Sequence, residues 1–159
     1  MSDEDDTPSL AGQTAAYTFK QLSDYKSEKR EDKSMKKAVK KLPSRDMADL
    51  GAFFAVQDAQ QKACGKVPAL VENGDKSRLL LACNDCPNED KKFRHMMEIP
   101  ATLEGLKPEY FVGTLMAFKE GDRQNDLHER MQFIASILTE EEIEELAAYY
   151  SAKPDEDDE

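Results

Sequence analysis

The chain has no tryptophan, only three cysteines and no long apolar run, and the last two shortages each exclude a class of protein. Three cysteines among 159 residues form at most one disulfide, which excludes a disulfide-based scaffold. No apolar stretch approaches the roughly 20 residues of a membrane-spanning helix. A sequence that is 39% hydrophobic and 35% charged supplies a modest core. We expect a mostly helical protein of one ordinary domain or two small ones.

An excess of positive charge is also missing. The 33 acidic residues outnumber the 22 basic ones, and nine of the acids lie in residues 3–6 and 155–159. Between these tails 24 acidic residues nearly balance the bases. A body without net positive charge lacks the electrostatic attraction that drives binding to nucleic acid. We therefore exclude nucleic acid as a partner. The printed start is acidic and does not have the pattern of a secretory signal.

An internal repeat is the most informative feature that is present. At an offset of 93, the matching pairs are Leu10 and Leu103, Gly12 and Gly105, Tyr17 and Tyr110, Leu22 and Leu115, Lys26 and Lys119, and Arg30 and Arg123. After a three-residue insertion the offset is 96, and the pairs are Met35 and Met131, Leu42 and Leu138, Leu50 and Leu146, and Ala52 and Ala148. The sequence therefore contains two copies of one helical unit.

Apolar periodicity places helices in both copies. Apolar residues at helical spacing predict a helix over 108–120 and another over about 140–152. Thr139 and Glu142 have the spacing of a capping box at the start of the second of these. The equivalent helix of the first copy is predicted over about 43–57.

The repeat also divides the chain into parts. We expect acidic tails at 1–7 and 154–159, an incomplete unit at 8–57, a linker at 58–64 and a complete unit at 65–153. The first unit has no counterpart of residues 65–99. We therefore expect that it packs on the second unit, or that the reading frame is a shortened version of a longer precursor.

Both copies resemble the class I cytochromes c, and their order resembles the two-domain, dihaem members of that family. The first copy carries Pro-x-Leu-Ala-Gly-Gln at 8–13 and Met-Ala-x-Leu-x-x-Phe-Phe-Ala at 47–55. The second carries Leu-Ala-Cys-x-x-Cys at 81–86, Pro-x-x-Leu-x-Gly at 100–105 and Leu-Ala-Ala-Tyr-Tyr at 146–150. The resemblance implies an all-α fold of tandem cytochrome-c-like units, the first truncated, packed about a pseudo-two-fold axis. It also implies a periplasmic location.

The haem site that the resemblance implies is incomplete. Cys83 and Cys86 are the candidate haem attachment residues, and Met131 and Met35 are the candidate axial ligands. The family has a histidine ligand directly after the second cysteine, but Pro87 stands there and has no ligand atom. The first unit has no cysteine pair. We expect no cofactor, with haem c as the alternative, and core packing as the main role of both methionines.

Two other kinds of site use the same cysteines. A Cys-x-x-Cys pair also serves thiol redox proteins. Cys64, Cys83, Cys86 and His95 provide four candidate zinc ligands, although only two of them are close in sequence. His128 is predicted to lie on the surface. No nucleophile motif or phosphate-binding glycine loop is present, so we do not expect an enzyme.

Charge differs between the two units. Residues 26–41 hold eight bases and three acids, whereas residues 117–146 hold three bases and nine acids. The candidate docking residues are Lys29, Arg30, Lys33, Lys36, Lys37, Lys40 and Lys41.

We expect a non-enzymatic component of a periplasmic electron-transfer system that docks to a redox partner, such as a cytochrome or an oxidoreductase subunit. The alternatives are an electron carrier with an atypical haem and a thiol or zinc module; self-association is the rival use of the charged faces.

Overall fold

A computed structural model describes residues 7–58, 66–83 and 101–152. The helices are α1 (Ala15–Lys26), α2 (Lys33–Val39), α3 (Ser44–Ala55), α4 (Ala69–Glu72), α5 (Pro108–Glu120), α6 (Arg130–Ile137) and α7 (Glu140–Ser151). Within these ranges the only β pairing is an isolated bridge between Asp75 and Leu80. The prediction of an all-α fold is confirmed. None of the described helices combines the length and apolar character needed to cross a membrane.

Short polar side chains define where several helices begin. The Thr14 hydroxyl accepts a hydrogen bond from the Tyr17 amide at 3.2 Å at the start of α1. At α7 the predicted capping box is present: the Glu142 amide donates to the Thr139 hydroxyl at 3.2 Å, and the Thr139 amide donates to the Glu142 carboxylate at 2.9 Å. The predicted helix over 108–120 is correct, whereas α3 ends two residues before the predicted end.

Each unit packs around its own core. The buried core of the first unit consists of Leu22, Tyr25, Val39 and Met47. The buried core of the second unit consists of Val71, Leu80, Leu106, Phe111, Leu115, Leu138, Ile143, Leu146, Ala147 and Tyr150. The second core is larger in part because α4 and the turn after it add Val71 and Leu80. The first unit contains no equivalent of this segment among its described residues.

The repeat is visible in the backbone as well as in the sequence. Gly12 and Gly105 both adopt a left-handed conformation, with φ of 75° and 76°. The Gly12 amide donates to the Phe54 carbonyl and the Gly105 amide to the Tyr150 carbonyl, both at 3.0 Å. In each unit this bond ties the loop before α1 or α5 to the end of the last helix, α3 or α7. The two offsets read from the sequence therefore match equivalent three-dimensional positions.

Candidate functional site

The segment leading to Cys83 is anchored on α7 by one arginine. The Arg78 guanidinium donates to both carboxylate oxygens of Glu142, at 2.6 and 2.9 Å, and to the Asp75 carboxylate at 2.7 Å. Hydrogen bonds from Ser77 and from Arg78 lower the pKa of Asp75 to about 2. The Arg78 hydrogen bond also holds the pKa of Glu142 below its usual range. This ionic cluster fixes the chain five residues before Cys83.

Cys83 and Met131 belong to the same part of the second unit. Both side chains are partly buried and pack against the second core. Met131 lies in the first turn of α6, where its amide donates to the Asp126 carboxylate at 2.6 Å. Cys86, the other candidate attachment residue, and Pro87 lie outside the described residues.

Met35 occupies the equivalent place in the first unit. It lies in the first turn of α2, its amide donates to the Asp32 carboxylate at 2.7 Å, and its side chain packs against the first core. The structure therefore places both candidate axial methionines beside a core, at matching positions of the repeat. Packing of this kind is the ordinary role of a methionine thioether.

The zinc candidates are not brought together within the described residues. Cys83 is the one member of the set that lies there, because Cys64, Cys86 and His95 fall outside it. In the described ranges 7–58, 66–83 and 101–152, no three His, Cys, Asp or Glu side chains are grouped to hold a metal ion. The zinc site and the thiol site therefore stay predictions. His128 is exposed, in the 3₁₀ turn Leu127–Glu129.

Sequence reasoning missed a buried polar cluster between the two units. The Arg123 side chain, 8% exposed, donates to Asn125 Oδ1 at 2.8 Å and to Gln21 Oε1 at 3.1 Å. Asn125 Nδ2 donates to Gln21 Oε1 at 3.1 Å and to the Asp24 carboxylate at 2.7 Å. Gln21 and Asp24 are on α1, whereas Arg123 and Asn125 follow α5. Residues about 100 positions apart therefore form the interface between the units.

Arg30 and Arg123 repeat one arrangement across this interface. Arg30 donates to the Tyr110 hydroxyl at 3.0 Å, and Arg123 donates to the Tyr17 hydroxyl at 3.5 Å. Each arginine thus reaches the tyrosine of the other unit, as a pseudo-two-fold axis requires. Each arginine also stacks on a ring of its own unit. Arg30 lies 4.7 Å from the centre of the Tyr25 ring, and Arg123 lies 4.5 Å from the centre of the ring of Phe118, the equivalent of Tyr25.

Burial and a neighbouring arginine shift the pKa values of two tyrosine hydroxyls in the interface in opposite directions. Burial raises the pKa of Tyr25 to about 12. Burial alone would also raise the pKa of Tyr110, but the charge and hydrogen bond of Arg30 bring that pKa below its ordinary value. The sequence signal that could have indicated this interface is the arginine found at equivalent positions of both copies, Arg30 and Arg123.

The candidate docking residues divide into two groups. Lys29, Lys33, Lys36, Lys37, Lys40 and Lys41 are exposed, and we call them the basic surface. Arg30 differs, because its guanidinium is committed to Gln21, at 2.7 Å, and to Tyr110 in the interface. Arg123 is likewise buried, so the bases that remain on the surface of the second unit are fewer than the sequence count indicates.

Tandem helical units of this kind, with repeated left-handed glycines and a Cys-x-x-Cys segment in the second unit, define a two-unit class I cytochrome c fold. The solved structure of reduced recombinant cytochrome c4 from Pseudomonas stutzeri superposes with a TM-score of 0.77 and 27% identity, covering 96% of this chain and 88% of that one. Cytochrome c4 of Pseudomonas aeruginosa PAO1 is 31% identical over 148 residues, which are 89% of this chain and 73% of the relative. The chain belongs to the cytochrome c4 family.

A second kind of relative has a more specific name. The thiosulfate dehydrogenase electron acceptor of Stutzerimonas stutzeri A1501 is 27% identical over 155 residues, covering 91% of this chain and 69% of the relative. No family model matches the chain. Cytochromes c4 are electron carriers, which gives the chain a cytochrome electron-transfer role and confirms the prediction that it is not an enzyme.

The residues of this chain complete only part of a haem c site. Because a cytochrome c carries haem c, the relatives do not support the expectation that no cofactor is bound. Cys83 and Met131 supply an attachment sulfur and a thioether on one core. The histidine of the family motif is replaced by Pro87, and residues 8–57 contain neither cysteine nor histidine. The residues at 83–87 therefore depart from the family's histidine-ligated motif at the position of the histidine.

Proposed function

We propose that this chain is a non-enzymatic, periplasmic component of an electron-transfer system that docks to a redox partner protein through the basic surface, without normally ligated haem. The exposed lysines around α2 are the observation that carries the proposal. Their side chains extend into solvent, so they can approach an acidic partner without breaking the packing of the first unit. Complementary charge of this kind raises the rate of encounter and selects orientation.

The charge of the second unit supports an oriented encounter. Glu140, Glu141, Glu144 and Glu145 are all exposed on α7. With Arg123 buried, this end of the molecule is acidic while the end around α2 is basic. An acidic partner is therefore attracted to one end of the molecule and repelled by the other.

The docking test uses charge reversal at matched sites. A thiosulfate dehydrogenase is the first probe, because one relative is named as an electron acceptor for that enzyme. We expect Lys33→Glu with Lys37→Glu to weaken binding at least tenfold at 20 mM salt, and binding by the wild type to weaken as salt rises. The control, Lys66→Glu with Lys76→Glu, makes the same charge change at exposed sites of the second unit. Equal effects of the two pairs, or indifference to salt, would contradict docking through the basic surface.

An electron carrier with an atypical covalent haem is the second candidate. It is favoured by the shared position of Cys83 and Met131 on the second core. Protein produced with a cytochrome c maturation system should be colourless if our proposal is correct. Intact mass and a visible spectrum decide the matter: one added haem and a Soret band, both lost in Cys83→Ser with Cys86→Ser, would replace the proposal with the carrier.

A further inference from the structure

A small pocket lies at the edge of the basic surface, where α1 ends and α2 begins. Its volume is about 180 Å³, and its lining includes Tyr25, Arg30, Lys33 and Lys36. Pockets that hold drug-sized molecules are larger, at roughly 300–1,000 Å³. The space therefore suits one side chain or a small ion. We call it the Tyr25 pocket.

The tyrosine of this pocket brings a hydroxyl that the described structure leaves without a hydrogen bond. Tyr25 is only 9% exposed, and none of the described residues pairs with its hydroxyl. Burial raises the pKa of Tyr25 to about 12, so the hydroxyl keeps its proton at neutral pH and can donate. A buried donor without a partner costs free energy, which an acceptor in the pocket would recover. The equivalent residue of the second unit, Phe118, has no hydroxyl.

Two basic side chains add further donors to the pocket. The Arg30 guanidinium has five N–H groups, and two of them are used within the described residues, for Gln21 at 2.7 Å and for Tyr110 at 3.0 Å. Lys33 is exposed and forms no ion pair in the described ranges of the chain. Both side chains can therefore direct an N–H group towards an acceptor that enters the pocket.

The acidic residues that also line the pocket already have partners. Glu28 pairs with Lys36 at 2.5 Å. The hydrogen bond and charge of Glu28, together with the charge of Glu31, raise the pKa of Lys36, so both acids act on that lysine. The Asp32 carboxylate accepts a hydrogen bond from the Met35 amide at 2.7 Å. The groups that remain to be matched in the pocket are therefore donors, and their natural partner is an anionic acceptor.

We propose that the Tyr25 pocket binds one carboxylate side chain, of an aspartate or glutamate, on the surface of the redox partner. Tyr25 donates a hydrogen bond to it, and Arg30 and Lys33 balance its charge. This inference rests on the proposed function, because it gives docking at the basic surface a fixed anchor. A carboxylate on a partner that the surrounding lysines already attract is at high effective concentration, whereas a free ion is not.

Removing one hydroxyl tests the anchor. Tyr25→Phe keeps the ring, and we expect the fold to be kept because the repeat has Phe118 at the equivalent position. With thiosulfate dehydrogenase as the partner, this change should weaken binding about tenfold. Tyr149→Phe is the matched control, since it removes the hydroxyl of a half-buried ring in the second unit and should leave binding unchanged. Melting followed by circular dichroism checks that both variants fold.

The salt dependence separates the hydroxyl from the lysines. Tyr25→Phe should leave the slope of affinity against salt unchanged, because no charge is removed, whereas Lys33→Ala should make that slope shallower. If charge reversal at Lys33 and Lys37 weakens binding but Tyr25→Phe does not, docking through the basic surface stands and the pocket proposal is overturned. If charge reversal also has no effect, the proposed function fails as well.

A hexaglutamate peptide tests the pocket without the enzyme. Titration followed by nuclear magnetic resonance should shift the signals of the Tyr25 ring and the Arg30 side chain saturably, and Tyr25→Phe should weaken this binding. Shifts confined to exposed lysines and unaffected by Tyr25→Phe would overturn the proposal. Sodium acetate at the same concentration of carboxylate is the second probe. Acetate that binds as tightly as the peptide would assign the pocket to free small anions and overturn the assignment to a partner side chain.

Discussion

Arg123 is the more buried of the two arginines in the interface. Arg123 has hydrogen bonds to Asn125 and Gln21, a longer one to Tyr17, and the face of Phe118 beneath it. Removing Arg123 leaves the buried Oδ1 of Asn125 without its donor, which costs more than the hydrogen bond itself contributes. The interface between the units therefore depends on single residues.

Arg123→Ala should lower the free energy of unfolding by about 2–4 kcal/mol, because the buried Oδ1 of Asn125 would lose its donor and the stacking of the guanidinium on Phe118 would be lost. Arg45→Ala is the control, since that side chain is 89% exposed and should change stability by less than about 0.5 kcal/mol. Urea unfolding followed by circular dichroism measures both. A cost below about 1 kcal/mol for Arg123→Ala would show that the cluster is dispensable.

Asp75 predicts a pH dependence in the acidic range. Its pKa in the folded protein is about 2, below the ordinary 3.8, so between these values the folded chain binds fewer protons than the unfolded one. The stability from this group is therefore complete above pH 4 and is lost as pH falls towards 2. Asp75→Asn should be less stable than the wild type at pH 6, and the two melting curves should converge near pH 2. Melting temperatures that differ by a constant amount across this range would contradict the assignment.

At the scale of elements, the first unit depends on the close crossing of α1 and α3. A Cβ placed on Gly51 would lie 2.6 Å from the Ala15 carbonyl oxygen. Such a contact cannot form without separating the helices. The equivalent of Gly51 in the repeat is Ala147, so the second unit does not share this requirement.

Two glycine-to-alanine substitutions in helices should therefore change the stability of the protein in opposite directions. Gly51→Ala should destabilise by about 1–3 kcal/mol, because the added methyl forces α1 and α3 apart. Gly113→Ala, in α5, should stabilise by roughly 0.5–1 kcal/mol, because no atom lies within 4 Å of the new methyl and alanine is the better helix former. Denaturant midpoints at constant m-value measure both. A stabilising Gly51→Ala would rule out the close crossing.

For the whole molecule, the contrast between the two cores predicts unequal local stability. Four buried apolar residues form the described core of the first unit, whereas ten form that of the second. Local opening free energy follows buried apolar contact, so the first unit should open more often. Hydrogen exchange should be at least tenfold faster in α3 than in α7. Equal protection would indicate that the interface joins the units into one cooperative body.

Much of the fold follows from the sequence because its signals are local or repeated. The apolar spacing of α5 and the capping box of α7 depend on residues within a few positions of one another, and both were predicted correctly. The repeat adds long-range information, since equal spacing in two copies indicates equal structure. The resemblance to the class I cytochromes c rests on those same residues.

The candidate site was predicted less well than the fold, because a sequence does not show which residues a side chain will contact. Arg30 was grouped with the lysines around it, yet its guanidinium is held by Gln21 and by Tyr110 of the other unit. Asn125 carried no periodic or motif signal, because its role depends on contact with Gln21 across the interface.

The sequence by itself determined the two units, their main helices, their family and the replacement of the axial histidine by Pro87. Only the tertiary structure decided that Arg30 and Arg123 are held between the units and that the lysines of α2 remain exposed. It also decided that residues 66–83 pack on α7, where Val71 and Leu80 join the same core as Leu146. The reason is physical: helix formation is governed by neighbours along the chain, whereas burial is governed by surfaces that meet only when the units pack.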